Sequence, residues 1–148
     1  MACLRALFFL IILPATSIAS LGTAWADIGR VKNASGEAIV ERDGAVIPAT
    51  PGLALQESDA LITGKDGTLG VTFVDNSRFS AGPNSRIELS RFRFNATTHD
   101  GQFDSRLQKG SVAIISGQIA KKTPDAMKIR TPSSILGVRG TEFVVEAN

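Results

Sequence analysis

Apolar and polar residues trade places along this chain with a period near two, and short runs of turn-forming residues interrupt them. Ala38 and Val40 alternate with Glu37, Ile39 and Glu41 until Asp43-Gly44, a dipeptide that accepts the positive φ angles of a tight hairpin turn. Val46 and Ile47 open the returning strand. Pro48 and Pro51-Gly52 cut it short, because proline donates nothing to a ladder, so this strand is expected to be brief or at a sheet edge. After Gly64-Lys65-Asp66-Gly67 comes the clearest strand, residues 68–74, with Leu69, Val71 and Phe73 on one face. Asp75-Asn76-Ser77 and Gly82-Pro83-Asn84 then separate Arg78-Phe79-Ser80 from residues 86–89, where Ile87 and Leu89 point together. Phe92 and Phe94 continue the alternation, and Asp100-Gly101 offers another hairpin. Phe103 and Leu107 precede a break at Lys109-Gly110, beyond which residues 111–115 read as a separate strand carrying Val112 and Ile114 on one side. Lys121-Lys122-Thr123-Pro124-Asp125 is the most polar stretch and reads as an exposed loop. Residues 143–145 form the last apolar run. Nowhere does a helical period persist for three turns, and turns recur about every 8 to 12 residues. The pattern predicts an all-β fold, one small domain of short strands with solenoid-like or sandwich-like winding.

The first residues follow a different logic. Arg5 and the amino terminus give a positive start, residues 6–13 (ALFFLIIL) form an apolar run too short to span a bilayer of about 30 Å, and Pro14 ends it. Ala24-Trp25-Ala26 supplies small residues where a signal peptidase reads. Residues 1–26 are therefore expected to be a cleavable signal peptide, leaving residues 27–148 as the domain with Asp27 first. Ser17-Ile18-Ala19 is the alternative cut, and no stable membrane span is expected after cleavage. Arg5 is the only charged side chain in the leader, so its removal lowers the formal charge from +2 to +1, too small an excess to indicate a partner. Cys3, the only cysteine, leaves with the leader, which excludes both a disulfide and a lipid-attachment cysteine at the cut.

Taken in order, several segments resemble the FecR domain family, over a span from about Gly36 to Val145. The motifs are residues 36–44 (GEAIVERDG), residues 61–67 (LITGKDG), residues 69–77 (LGVTFVDNS) and, most specific, residues 129–145 (IRTPSSILGVRGTEFVV). The last combines a strand, Thr131-Pro132, small residues, then Val138-Arg139-Gly140-Thr141 and a final apolar strand. The resemblance implies a small periplasmic β-domain of the kind used in iron-uptake signalling regulators. Unlike those regulators, this sequence carries no cytosolic segment ahead of its apolar run and no subdomain past the last strand. It is closer to the family's free periplasmic proteins, for which the resemblance implies docking to another envelope protein.

Candidate chemistry is sparse. Arg139 sits in the most specific motif, and its five donors can tie together carbonyls at a turn or grip a carboxylate of a partner or ligand. The fold-element reading leads, with Gly137, Val138, Gly140, Thr141 and Phe143 as its structural companions: Gly137 and Gly140 would admit close backbone, and the turn would present Phe143 and Val145 to the core. Arg91 and Arg93 interleave with Phe92 and Phe94, and period two sends both arginines to one face, where they are candidates for a partner-facing edge. Single-stranded nucleic-acid binding uses similar patterns, but export and a near-neutral charge argue against any nucleic acid. His99 is the only histidine and reads as a surface residue. No triad, metal site or cofactor site can be assembled from the residues left after cleavage, so no enzyme, metal or cofactor is expected. The expected role is a non-catalytic interaction or sensory module of the cell envelope. The alternative is a small-ligand or glycan binder using Arg139, Arg91 or Arg93 for anionic groups.

Overall fold

A computed structural model describes residues 25–148. The segment read as a signal peptide lies outside the described residues apart from Trp25 and Ala26. Twelve strands and one short helix follow in the order β1 (Gly29–Ser35), β2 (Ala38–Arg42), β3 (Ala45–Pro48), β4 (Ala54–Leu55), β5 (Ala60–Thr63), β6 (Thr68–Phe73), β7 (Arg78–Ala81), β8 (Arg86–Phe94), β9 (Gly101–Ile115), α1 (Gln118–Lys122), β10 (Met127–Arg130), β11 (Ile135–Gly137) and β12 (Glu142–Ala147). The all-β expectation holds. The strands run β3-β2-β5-β8-β9-β7-β6-β1-β4 in one curled sheet, with β10 and β12 also on β9 and β11 on β10. Every pairing is antiparallel except that of β9 with β10.

Strand β9 organises the molecule because it pairs with different neighbours along its length. Its first part, Gly101 to Lys109, lies between β8 and β10, whereas Gly110 to Ile115 lies between β7 and β12. Two wings result. One contains β4, β1, β6, β7, the end of β9 and β12; the other contains β3, β2, β5, β8, the start of β9, β10 and β11. The Lys109-Gly110 signal is therefore not a break between strands, as its sequence suggests, but the place where one 15-residue strand changes wings. Gly110 has φ +89°, and a Cβ there would lie 2.5 Å from Ser85 Cα and 2.7 Å from the Asn84 carbonyl oxygen. A glycine alone meets both demands. Ser85 Oγ holds the bend by accepting the Ser111 N–H and donating to the Ser111 carbonyl, each at 3.0 Å.

The inner faces of the wings meet in a cluster of phenylalanines. Phe73 (β6) and Phe79 (β7) come from one wing, Phe92 (β8) and Phe103 (β9) from the other, with ring centroids 4.6 to 5.9 Å apart. Leu69, Val71, Ile87, Leu89, Leu107, Val112 and Ile114 surround them, all buried. Burial of each such side chain stabilises the fold by about 1.5 to 3 kcal/mol, so this seam is the main adhesive between the wings.

Two local readings come out differently from each other. Asp43 (φ +49°) and Gly44 (φ +78°) form the expected two-residue hairpin, and β3 is the expected short edge strand. In contrast, Lys121 and Lys122 are not loop residues but the last turn of α1, whose Ile119 and Ala120 are buried. A five-residue helix is too short to display a helical period. Its start is held by the Asp75-Asn76-Ser77 turn, whose Asp75 and Ser77 are buried: the Asp75 carbonyl accepts the Gln118 N–H at 2.7 Å, and Ser77 Oγ accepts the Gly117 N–H at 3.0 Å.

Candidate interaction surface

The C-terminal motif spans the gap between the wings. Strand β11 belongs to one and β12 to the other, so residues 138–141 carry the chain across. Val138 turns inward, is buried, and donates its N–H to the Met127 carbonyl at 3.0 Å. Gly140 follows with φ +138° and open space around its α-carbon. The carbonyls of Gly140 and Thr141 accept the Ser116 hydroxyl and N–H at 2.5 and 2.9 Å, which starts the β9–β12 ladder. Val145 is then buried and Phe143 half-buried against the core.

Arg139 does something other than tie carbonyls. Its side chain is 74% exposed and grips the Asp125 carboxylate, with Nε 3.2 Å from both oxygens and a terminal nitrogen 2.6 Å from Oδ2. In the link between β11 and β12, Val138 is buried and its neighbour Arg139 stands in solvent. Gly137 makes room for the pair, since a Cβ there would come within 2.3 Å of Asp125 Oδ1. The hydrogen bond from Arg139 holds the Asp125 carboxyl below the usual aspartate range, with a smaller push the same way from Lys128, and Asp125 in turn raises Arg139.

Arg91 and Arg93 stand on the outer face of β8, past the residues that pair with β5, where β9 is the one strand alongside. Arg91 is exposed opposite Asp104, while Arg93 pairs with Glu57 and donates to the Phe92 carbonyl at 2.9 Å. The fold does not bring the three arginines to one partner: Arg139 is held by Asp125, Arg93 by Glu57, and Arg91 makes no ion pair among the described residues. His99 is exposed with its ring stacked on Phe94.

Register on this outer face assembles charges that are far apart in the chain. Arg91, Asp104 and Lys128 form one row across β8, β9 and β10; Glu88, Arg106 and Arg130 form the next. Arg106 and Arg130 also line a groove of about 480 Å³ with Gln108, Thr131, Pro132 and Ile135. Sequence reasoning missed both arginines. Thr131-Pro132 marked the neighbourhood, but only the parallel pairing of β9 with β10 places Arg106 beside it.

The sheet also has open edges. Strand β12 pairs with β9 on one side alone, and its outer face shows Val144 at 65% exposure near Ile115 at 38%. Among the described residues, no group of three or more His, Cys, Asp or Glu is placed to hold a metal ion, and no helix is long and apolar enough to cross a membrane.

Searches of curated proteins and of solved structures returned no match. The family model described as FecR protein matches residues 59–148, from the start of β5 to the end of the chain, and leaves outside it the N-terminal hairpin that the sequence resemblance had included. Since those residues contain β9, all its neighbours and the motif that crosses between the wings, the chain belongs to the FecR protein family.

Proposed function

We propose that this protein is a non-catalytic interaction module of the bacterial envelope, exported by residues 1–26 and acting in the periplasm as a domain of residues 27–148. Membership of the FecR family supports an envelope regulatory or sensory role. The observation that carries the docking mode is the open edge of β12, with Val144 exposed on it. An edge strand presents unpaired N–H and carbonyl groups, which a partner's extended segment can complete by adding a strand. The proposed partner is an envelope protein offering such a segment; Arg139, at the entrance to β12, would meet a carboxylate on it with the terminal nitrogen that Asp125 does not hold.

Affinity capture from envelope extracts tests this with wild type and Val144→Lys, a charge on the exposed edge that leaves the core untouched. A saturable protein partner recovered by wild type and lost with Val144→Lys is expected. Equal recovery by both, or none by wild type, overturns the edge-docking reading. The export half has its own measurement: mass spectrometry of protein from its native envelope should find Asp27 at the amino terminus, and an intact Met1 on membrane-embedded material would count against it.

A further inference from the structure

We infer that the groove between β9 and β11 is a binding site for an oxyanion, a phosphate or carboxylate carried by a small molecule, held between Arg106 and Arg130. The inference stands independently of edge docking by β12.

Arg106 and Arg130 are direct cross-strand partners in the parallel β9–β10 pair. Their α-carbons are thus about one strand spacing, roughly 4.8 Å, apart. Inward neighbours Ser105, Leu107 and Ile129 are buried, so both arginines project from the outer face together. Like charges placed opposite each other on a sheet repel. Elsewhere on the surface Arg30 pairs with Asp27, Arg93 with Glu57 and Arg139 with Asp125, and the exposed Arg78 and Arg91, which make no ion pair among the described residues, stand opposite Thr72 and Ile115 and opposite Asp104 rather than opposite another arginine. Arg106 and Arg130 make neither an ion pair nor a side-chain hydrogen bond among the described residues. Two forks of donors are left side by side at the mouth of a groove.

The acidic groups nearby form no ion pair with them. Glu88 lies opposite Arg106 on the β8 side, away from Arg130, and its carboxylate accepts the Gln108 amide at 3.3 Å. Asp104 sits one row up between Arg91 and Lys128 and accepts the Gln102 amide at 2.9 Å. An anion bridging Arg106 and Arg130 would turn their repulsion into two charge-assisted contacts, and the guanidinium fork matches the oxygen spacing of a carboxylate or phosphate. Thr131 and Gln108 add neutral polar groups, while Pro132 and the exposed Ile135 give an apolar wall. A charged head with a small apolar body fits these walls, and the groove volume is within the range of small-molecule sites.

The test titrates the purified protein with inorganic phosphate and, separately, with succinate, against sodium chloride at matched ionic strength, following backbone amide NMR shifts. Saturable shifts at Gln108, Thr131 and Ile135 are expected with at least one anion; which one responds tells a phosphate ligand from a carboxylate ligand. The double substitution Arg106→Gln with Arg130→Gln should weaken the interaction about tenfold or more, while Arg30→Gln, on the other wing, leaves it unchanged. In chloride alone, the double variant should melt at or above the wild-type temperature, because a repulsion has been removed. Shifts that are absent, that never saturate or that survive the double substitution overturn the site. So does a melting temperature below wild type, which would mean that the fold already uses these arginines.

Discussion

Two arginine–aspartate forks in this molecule have nearly the same contacts and opposite surroundings. Arg42 on β2 reaches both oxygens of Asp59, at 2.8 and 2.7 Å, and Asp59 is completely buried, also accepting the Gln56 N–H at 2.8 Å. Arg139 grips Asp125 just as fully, but in solvent. A further Arg42 contact, to the Ala54 carbonyl at 2.9 Å, ties three segments of chain together. The contrast teaches that the fork itself says little about stability. What decides is whether breaking it strands a charge away from water. Location sharpens the point, because Asp59 is the first residue of the family match and Arg42 lies before it. The buried fork thus fastens β2, outside the match, to the start of β5 inside it.

Removing Arg42 should therefore give the largest effect. Arg42→Ala leaves the Asp59 carboxylate buried without its cation, at a cost of about 3 to 5 kcal/mol read as a lower urea midpoint. Arg42→Lys should recover only part, since an ammonium cannot copy the planar fork. Equal midpoints for Arg42→Ala and wild type would remove the distinction between the two forks. Arg139→Ala should move the midpoint far less, and raised salt should shrink even that difference. The smallest effect concerns acid. Because Asp125 titrates below its ordinary range in the folded protein, the fork's contribution is fully present above about pH 4, where an unfolded aspartate ionises, and fades as pH falls through the lowered folded value. Comparing wild type with Asp125→Asn by urea denaturation across that range isolates it, as Glu41, held low by Arg86, behaves identically in both proteins. A difference that grows toward acid would contradict the assignment.

How far these features could be read from the sequence depended on how local their causes are. Strand β6 was plain, since Leu69, Val71 and Phe73 alternate cleanly with outward residues. The hairpin at Asp43-Gly44 was equally so. Strand β1 escaped notice because its Gly29–Ser35 segment buries only its first and third positions and shifts register between Val31 and Asn33, which spoils the period. Strand β9 was divided in two because a glycine that bends a strand looks like a glycine that ends one. Arg139 stood out by sitting in a family motif, yet its partner Asp125 lies 14 residues away across a turn. Arg106 and Arg130 were invisible for a stronger reason: no local pattern reports that two strands run parallel in one particular register.

The sharing of β9 between both wings also has a kinetic side. Its flanks are filled by β7 and β8, made before it, and by β10 and β12, made after it. Each pairing closes a loop before it returns any stabilisation, and folds dominated by such distant contacts form in milliseconds to seconds rather than microseconds. The centre of this protein is thus finished last: in a chain that emerges amino end first, β9 appears with two of its four neighbours still to come, and the closed fold must wait for the final strand.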